Sequence, residues 1–154
     1  SGAVVTAITN SDAAEAVAGL GVHHVVRRGT DPDPKGPFNV IIDPVAGDAV
    51  LALINALAPN GRYVRNGAAA GFPPPDIGAA LLRGFAGSPT YSLFSLDSVS
   101  REDLVSAATE IFARAADGEA RPLISEVFPL HDAARAHKLL ESGKSFGKIV
   151  LRPS

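Results

Sequence analysis

Short apolar, β-branched runs alternate with segments of helical period along the 154-residue chain. Apolar runs of about four to eight residues indicate buried strands, and apolar positions that recur every 3.6 residues indicate helices. The predicted strands are 3–9, 23–26, 39–43, 62–67, 90–94, 124–128 and 148–151. The predicted helices are 12–20, 48–57, 76–83, the segment between 100 and 117, and 131–142. Strands that alternate with helices predict an α/β fold, with a parallel sheet and helices on both faces.

Capping residues and turn formers mark the ends of the predicted helices. Asp12 with Glu15, and Ser100 with Asp103, have the spacing of N-terminal capping pairs. The Pro-Asn-Gly triplet at 59–61 is predicted to end the second helix.

Three of the predicted strands end in small or hydrogen-bonding residues. These ends are 9–11 (Thr-Asn-Ser), 43–47 (Asp-Pro-Val-Ala-Gly) and 66–69 (Asn-Gly-Ala-Ala). Ligands of open parallel sheets bind beyond the carboxyl ends of the strands, where small residues let the backbone approach the ligand. Small residues also suit any tight strand-to-helix turn, so the pattern leaves both interpretations open.

Composition narrows the classes of protein and of site. The length suits one domain, and the absence of cysteine excludes disulfides and thiolate zinc sites. A formal net charge of −2 gives the chain no excess of positive charge with which to attract nucleic acid. No apolar run is long enough to span a membrane. We therefore expect neither nucleic acid nor membrane as a partner, and the cytoplasm is the default location.

The four histidines are poorly placed to share a metal ion. His23 and His24 are adjacent on a predicted strand and point to opposite faces. His131 and His137 are six residues apart on a predicted helix and lie on different faces. We predict no metal site.

Three segments taken in order resemble the medium-chain dehydrogenase/reductase superfamily, and its zinc-independent quinone-oxidoreductase branch most closely. They are "GAVVTAITNSDAAEAVAGLGVHHVV", "FNVIIDPVAGDAVLALINALAPNGRYVRNGAAAG" and "VFPLHDAARAHKLLESGKSFGKIVL". The most specific pieces are "LAPNGRYV", "DPVAG" and the closing segment. The resemblance covers essentially the whole chain.

The resemblance implies an incomplete Rossmann-type sheet. Family members are about twice as long, and a substrate domain, a central strand and a glycine-rich phosphate loop precede the equivalent of residue 3. This chain contains no G-x-G-x-x-G. Residues 1–120 are therefore expected to be a partial dinucleotide-binding domain, with a gap between the first two strands and the rest. Residues 121–154 are expected to form a C-terminal strand-helix-strand segment that in the family returns to the substrate domain.

The resemblance also implies the cofactor and its contacts. The first strand end lacks the acidic residue that binds the ribose of NAD, so NADP is favoured, although no Lys or Arg follows closely. The implied cofactor-binding residues are Thr9, Asn10, Ser11, Asp43, Pro44, Val45, Asn66, Gly67, Ala68, Leu93, Phe94, Gly147 and Lys148. Alternatives stay open: Asn10 and Ser11 cap the following helix, Phe94 packs in a strand, and Lys148 is a surface charge.

Two functions from different classes follow. The first is the cofactor-binding portion of an NADP-dependent quinone or enone reductase, which transfers hydride to an activated C=C or C=O of a small molecule. The second is a non-catalytic remnant that serves as a structural or pairing domain. Because the phosphate loop is absent, the chain alone is expected to bind NADPH weakly or not at all.

An edge strand suggests a homodimer. Residues 90–94 are β-prone and almost uncharged, and the matching family strand pairs with its copy across a two-fold axis. The alternative is a monomer whose edge is covered by the helix that begins at Ser100.

Overall fold

A computed structural model describes residues 2–153, apart from the side chain of Ser11. The strands are β1 Thr6–Thr9, β2 His24–Arg27, β3 Phe38–Asp43, β4 Leu57–Arg65, β5 Thr90–Leu93, β6 Ile124–Pro129 and β7 Lys148–Arg152. The α-helices are α1 Ala14–Ala18, α2 Val50–Asn55, α3 Ile77–Arg83, α4 Arg101–Ala116 and α5 Ala133–Glu141. The strands form three parallel sheets, β1-β2, β3-β4-β5 and β6-β7. The predicted α/β class, with parallel sheets and flanking helices, is confirmed.

The chain forms two compact units. The first unit contains the residues up to Pro32 and those from Val105 onward, and the second contains Asp33–Leu104. The buried apolar residues of the first unit are Ala14, Phe128 and Ala136. Those of the second are Ala46, Val50, Leu53, Ile54, Tyr63 and Ala80. The larger core therefore lies where α2 packs on β4 and α3.

One face of β3 and the apolar stripe of α4 are exposed. Val40 and Ile42 on β3 are 57% and 69% exposed, and no residue of α4 is buried, Phe112 being 73% exposed. The described residues thus cover only one face of the β3-β4-β5 sheet. None of the helices in residues 2–153 has both the length and the apolarity needed to cross a membrane.

The prediction of β4 was wrong at its amino end. The triplet 59–61 lies inside β4 instead of ending a helix, and α2 stops at Asn55. Phe38 N–H donates to Ala56 O at 2.9 Å, and Phe38 pairs with Leu57, so pairing with β3 draws the chain directly into the sheet. Residues 58–61 form an irregularity in the ladder, between the pairing of Phe38 with Leu57 and that of Val40 with Arg62. A proline, which has no N–H to donate, is tolerated at such an irregularity.

Side-chain caps are present at the starts of the first and fourth helices. Asn10 Oδ1 accepts from Ala13 N–H at 3.0 Å, as the helix-cap alternative for Asn10 predicts. At α4, Ser100 Oγ accepts from Asp103 N–H at 3.0 Å, which confirms that capping pair. β1 is also shorter than predicted, because its ladder with β2 begins at Thr6.

β5 forms one edge of the three-stranded sheet. Its position leaves one side of the strand without a partner among residues 2–153 of this chain. A homodimer through this edge stays a prediction.

Candidate functional site

The carboxyl edge of the β3-β4-β5 sheet is the candidate site in the second unit. We define it as residues 43–47, 65–69 and 93–94, which contain or follow the strand ends. Backbone bonds continue past these ends: Asn66 N–H donates to Asp43 O at 3.1 Å, and Phe94 N–H donates to Arg65 O at 2.9 Å. The eight implied residues of this unit therefore lie side by side: Asp43, Pro44, Val45, Asn66, Gly67, Ala68, Leu93 and Phe94.

Asp43 organises the first turn of the carboxyl edge. The residue is only 7% exposed. Asp43 Oδ1 accepts from Val45 N–H at 2.7 Å and Ala46 N–H at 3.1 Å, and Oδ2 accepts from Tyr63 Oη. Ala46 has φ 60° and Gly47 φ 72°, and a non-glycine residue in this region is strained unless its surroundings hold it. The buried carboxylate supplies that restraint.

Gly67 allows the second turn to lie against the first. A Cβ at this position would be 2.3 Å from Pro44 O. The backbone therefore requires glycine here, while Pro44, Asn66 and Ala68 beside it are exposed to solvent. The edge thus presents backbone and small side chains to a ligand.

Tyr63 lies directly beneath the carboxyl edge. It is fully buried, and its ring stacks on Tyr91 with 5.2 Å between centroids. Burial, then the hydrogen bond to Asp43 and the charge of that carboxylate, raise the pKa of Tyr63 far above its usual value. Tyr91 Oη is also buried and has no hydrogen-bond partner within the part of the chain that is described.

The raised pKa of Tyr63 predicts a loss of stability in alkali. Unfolded tyrosine loses its proton near pH 10.0, whereas folded Tyr63 keeps it, so the folded state holds more protons above that pH. The free energy of unfolding should fall by about 1.4 kcal/mol per pH unit above pH 10 through this group, and not below it. Urea unfolding of the wild type and Tyr63→Phe across this range measures the difference. Parallel pH profiles for the two proteins would contradict it.

A groove of about 750 Å³ opens at the carboxyl edge. This volume falls within the range of roughly 300–1,000 Å³ typical of small-molecule sites. The residues that line it are Arg65, Asn66, Gly67, Ala68, Phe72, Leu93, Phe94, Ser95, Leu96, Asp97 and Ser98. Five implied cofactor-binding residues thus share one groove.

Tyr63 and Arg65 were missed by the sequence reasoning. Both lie on β4, where register pairs Ile41 with Tyr63 and Asp43 with Arg65. The alternation of "RYVR" contained a signal, because a charged residue in a buried parallel strand is unusual and points to the strand end. The contact with Asp43 depends on register, which the sequence did not specify.

The remaining implied residues lie in the first unit. Thr9 ends β1, and Asn10 Nδ2 donates to Gly143 O at 3.1 Å, in the turn before β7. Gly147 has φ 101°, and Lys148 N–H donates to Leu123 O at 2.7 Å. Asn10 is therefore both a helix cap and a link to the β7 turn.

Lys148 and Ser11 are the last two implied positions. Lys148 is exposed to solvent, which is consistent with the alternative that it is a surface charge. The side chain of Ser11 lies outside the described residues.

The sequence model of the zinc-binding dehydrogenase family matches residues 20–151. The chain belongs to this family. The resemblance to the medium-chain dehydrogenase/reductase superfamily is thereby confirmed.

Relatives and solved structures agree with this family. The chain is 33% identical over 116 residues to one component of the phenolphthiocerol/phthiocerol polyketide synthase of Mycobacterium tuberculosis, covering 73% of this chain and 5% of that protein. It is 26% identical to the 2-haloacrylate reductase of a Burkholderia species, covering 97% of this chain and 48% of the reductase. A mycobacterial protein solved in complex with NADPH superposes with a TM-score of 0.81 at 26% identity, covering 97% of this chain and 50% of that one.

The chain spans about half the length of the last two proteins and a small part of the synthase. The activity of a whole family member therefore does not pass to this chain directly.

Zinc does not fit the residues present. The family is described as zinc-binding, but this chain has no cysteine. Residues 2–153 contain no group of three or more His, Asp or Glu side chains placed to hold a metal ion. No step proposed below uses zinc.

Proposed function

We propose that this chain is the cofactor-binding portion of an NADP-dependent quinone or enone oxidoreductase, which transfers hydride to an activated C=C or C=O. The observation that carries the proposal is the continuous carboxyl edge, where three strand ends adjoin and the ends of β4 and β5 line one groove. The name of one relative, the 2-haloacrylate reductase, supports the reaction class.

The carboxyl edge fits the ribose and nicotinamide end of the cofactor. Pro44, Asn66 and Ala68 are exposed and lie close to the backbone of neighbouring turns. A flat nicotinamide ring and a ribose need such a surface in order to approach the protein closely. Leu93 and Phe94 form an apolar wall of the groove and exclude water from the ring. When bound, NADPH supplies the hydride, so this chain has to bind and orient without a nucleophile of its own.

The end of β1 fits the 2′-phosphate of NADP better than a bare ribose. Thr9, the last residue of β1, and Asn10 after it are neutral, so neither side chain would repel a phosphate. Asn10 has its Oδ1 engaged with Ala13 N–H and its Nδ2 with Gly143 O, which fixes the amide in place. We propose that this fixed neutral surface accommodates the phosphate.

Asn10→Asp is expected to shift preference from NADPH toward NADH. A carboxylate beside the 2′-phosphate costs about 1–3 kcal/mol, so the ratio of the two dissociation constants should change by about fivefold or more. Fluorescence titration of this chain with each nucleotide at millimolar concentration measures the ratio.

Asn10→Ala is the uncharged control: it removes both side-chain hydrogen bonds, whereas Asn10→Asp keeps the acceptor for Ala13 N–H and loses only the bond to Gly143 O. It should weaken both nucleotides alike. A ratio that Asn10→Asp leaves unchanged would refute the adenosine-phosphate assignment.

A further inference from the structure

Two asparagine–glycine pairs lie six residues apart in the second unit. They are Asn60-Gly61, inside β4, and Asn66-Gly67, directly after it. Asparagine before glycine is especially prone to lose its side-chain amide, because glycine has no Cβ to obstruct attack by its own backbone nitrogen. Both asparagines are exposed to solvent, so exposure does not distinguish them. The surroundings of the two glycines do.

Gly61 is held within the sheet. It is buried, and a Cβ at this position would lie 2.7 Å from Ala58 O. It directly precedes Arg62, which pairs with Val40 of β3 and with Thr90 of β5. The Gly61 nitrogen is therefore fixed between two neighbouring strands, and it can approach the preceding side chain only if these pairings open.

Gly67 lies beyond the ladder. β4 ends at Arg65, and Asn66 N–H donates to Asp43 O at 3.1 Å. Arg65 Nε–H donates to Gly67 O at 2.8 Å. Within residues 2–153, neither Gly67 N–H nor the side-chain amide of Asn66 makes a hydrogen bond. The two groups that would react are therefore unengaged, while the backbone on either side of them is held.

We propose that Asn66 is a deamidation site and that its conversion opens the carboxyl edge. The Gly67 nitrogen bonds to Asn66 Cγ, the Cγ–Nδ2 bond breaks, and ammonia leaves with the proton of the former Gly67 N–H. Water then opens the resulting five-membered imide by breaking one of its two bonds to the Gly67 nitrogen. Cleavage at Cγ gives aspartate, and cleavage at the main-chain carbonyl gives isoaspartate. Only water enters and only ammonia leaves, so no oxidant or reductant is needed.

Isoaspartate changes the geometry of the carboxyl edge. The main chain then runs through the side chain of residue 66, which inserts one extra carbon between β4 and Gly67. Gly67 has no room to shift toward its neighbour, because a Cβ there would already lie 2.3 Å from Pro44 O. The turns 43–47 and 65–69 must therefore separate. In the function proposed above this edge binds the cofactor, although the covalent change itself does not depend on that function.

Peptide mapping by mass spectrometry tests the site. The 154-residue chain is incubated in mildly alkaline buffer, and each asparagine is followed for replacement of its amide by a carboxylate. We expect Asn66 to convert several-fold faster than Asn60, with isoaspartate among the products. Isoaspartyl methyltransferase with labelled S-adenosylmethionine detects isoaspartate. Isoaspartate from Asp117-Gly118 is told apart by mapping, because it forms without a change of mass.

Incubation in concentrated urea tests whether the fold selects the site. The two pairs contain the same dipeptide, so in the unfolded chain they should convert at similar rates. A preference for Asn66 of the same size in urea would refute selection by the fold. Conversion of Asn60 in the folded chain as fast as that of Asn66 would refute it equally.

Matched variants connect the modification to the edge. Asn66→Gln keeps an amide but would have to close a six-membered ring, which is much slower, and Asn60→Gln is the control. After incubation, the urea midpoint of the wild type and of Asn60→Gln should be lower than before, whereas that of Asn66→Gln should be retained.

Two further outcomes would overturn the proposal. The first is an Asn66 that stays intact in the folded chain over a time that converts the unfolded chain. The second is an unchanged urea midpoint in wild type whose Asn66 has been converted, which would refute the opening of the edge. No nucleotide enters these measurements, so their failure is distinguishable from failure of the proposed function.

Discussion

Replacing Gly67 by alanine is expected to lower the free energy of unfolding by about 2–3 kcal/mol, the upper part of the range for overpacking. The added Cβ would lie 2.3 Å from Pro44 O and 3.0 Å from both the carbonyl carbon and the Cα of Pro44. These are backbone atoms, and Ala69 N–H already donates to Pro44 O, so no side-chain rotation relieves the clash. The two turns of the carboxyl edge must separate. Urea unfolding followed by circular dichroism measures the loss.

Gly78→Ala is the matched control for this prediction. Gly78 lies in α3, and a Cβ there would meet no atom within 4 Å. The same glycine-to-alanine change should therefore stabilise the chain by about 0.5–1 kcal/mol through helix propensity. Equal effects of the two substitutions would refute the close approach at Gly67.

Replacing Asp43 by alanine is expected to cost about 3–5 kcal/mol of stability. The change removes the acceptor of Tyr63 Oη and of the Val45 and Ala46 N–H groups, and each buried donor left without a partner costs about 1–3 kcal/mol. It also removes the restraint on Ala46, whose backbone has φ 60°. Denaturant unfolding at neutral pH measures the loss.

Asp43→Asn separates hydrogen bonding from charge. The amide keeps an oxygen for the two backbone N–H groups, so its cost should be well below that of alanine. In a double-mutant cycle with Tyr63→Phe, the two changes should be strongly non-additive, because they remove the same bond. Additive losses would show that Asp43 and Tyr63 do not support each other.

The order and type of the strands and helices could be predicted from the sequence, because both depend on the local pattern of apolar and polar residues. All seven predicted strands are present, and the Ser100 cap has the bond expected of it. The alternation of strands and helices was enough to predict parallel pairing. The first two strands and the next three lie in separate sheets.

Contacts between distant residues could not be predicted in this way. The β3–β4 ladder draws residues 57–61 into a strand against a strong turn signal, because pairing with Phe38 outweighs local preference. Asn10 contacts Gly143, 133 residues away. The Asp43–Tyr63 bond and the orientation of Arg65 depend on strand register, which pattern alone leaves undetermined.

Amide chemical-shift mapping with NADPH tests most directly whether the carboxyl edge binds the cofactor. Isotope-labelled chain is titrated with NADPH to millimolar concentration, since binding without a phosphate loop should be weak. The account predicts saturable shifts at Val45, Asn66 and Gly67. It predicts none at Leu57 and Gly84, which line a groove of about 470 Å³ where β4 begins. Saturable shifts at Leu57 and Gly84, with none at Val45, Asn66 and Gly67, would contradict binding at the carboxyl edge.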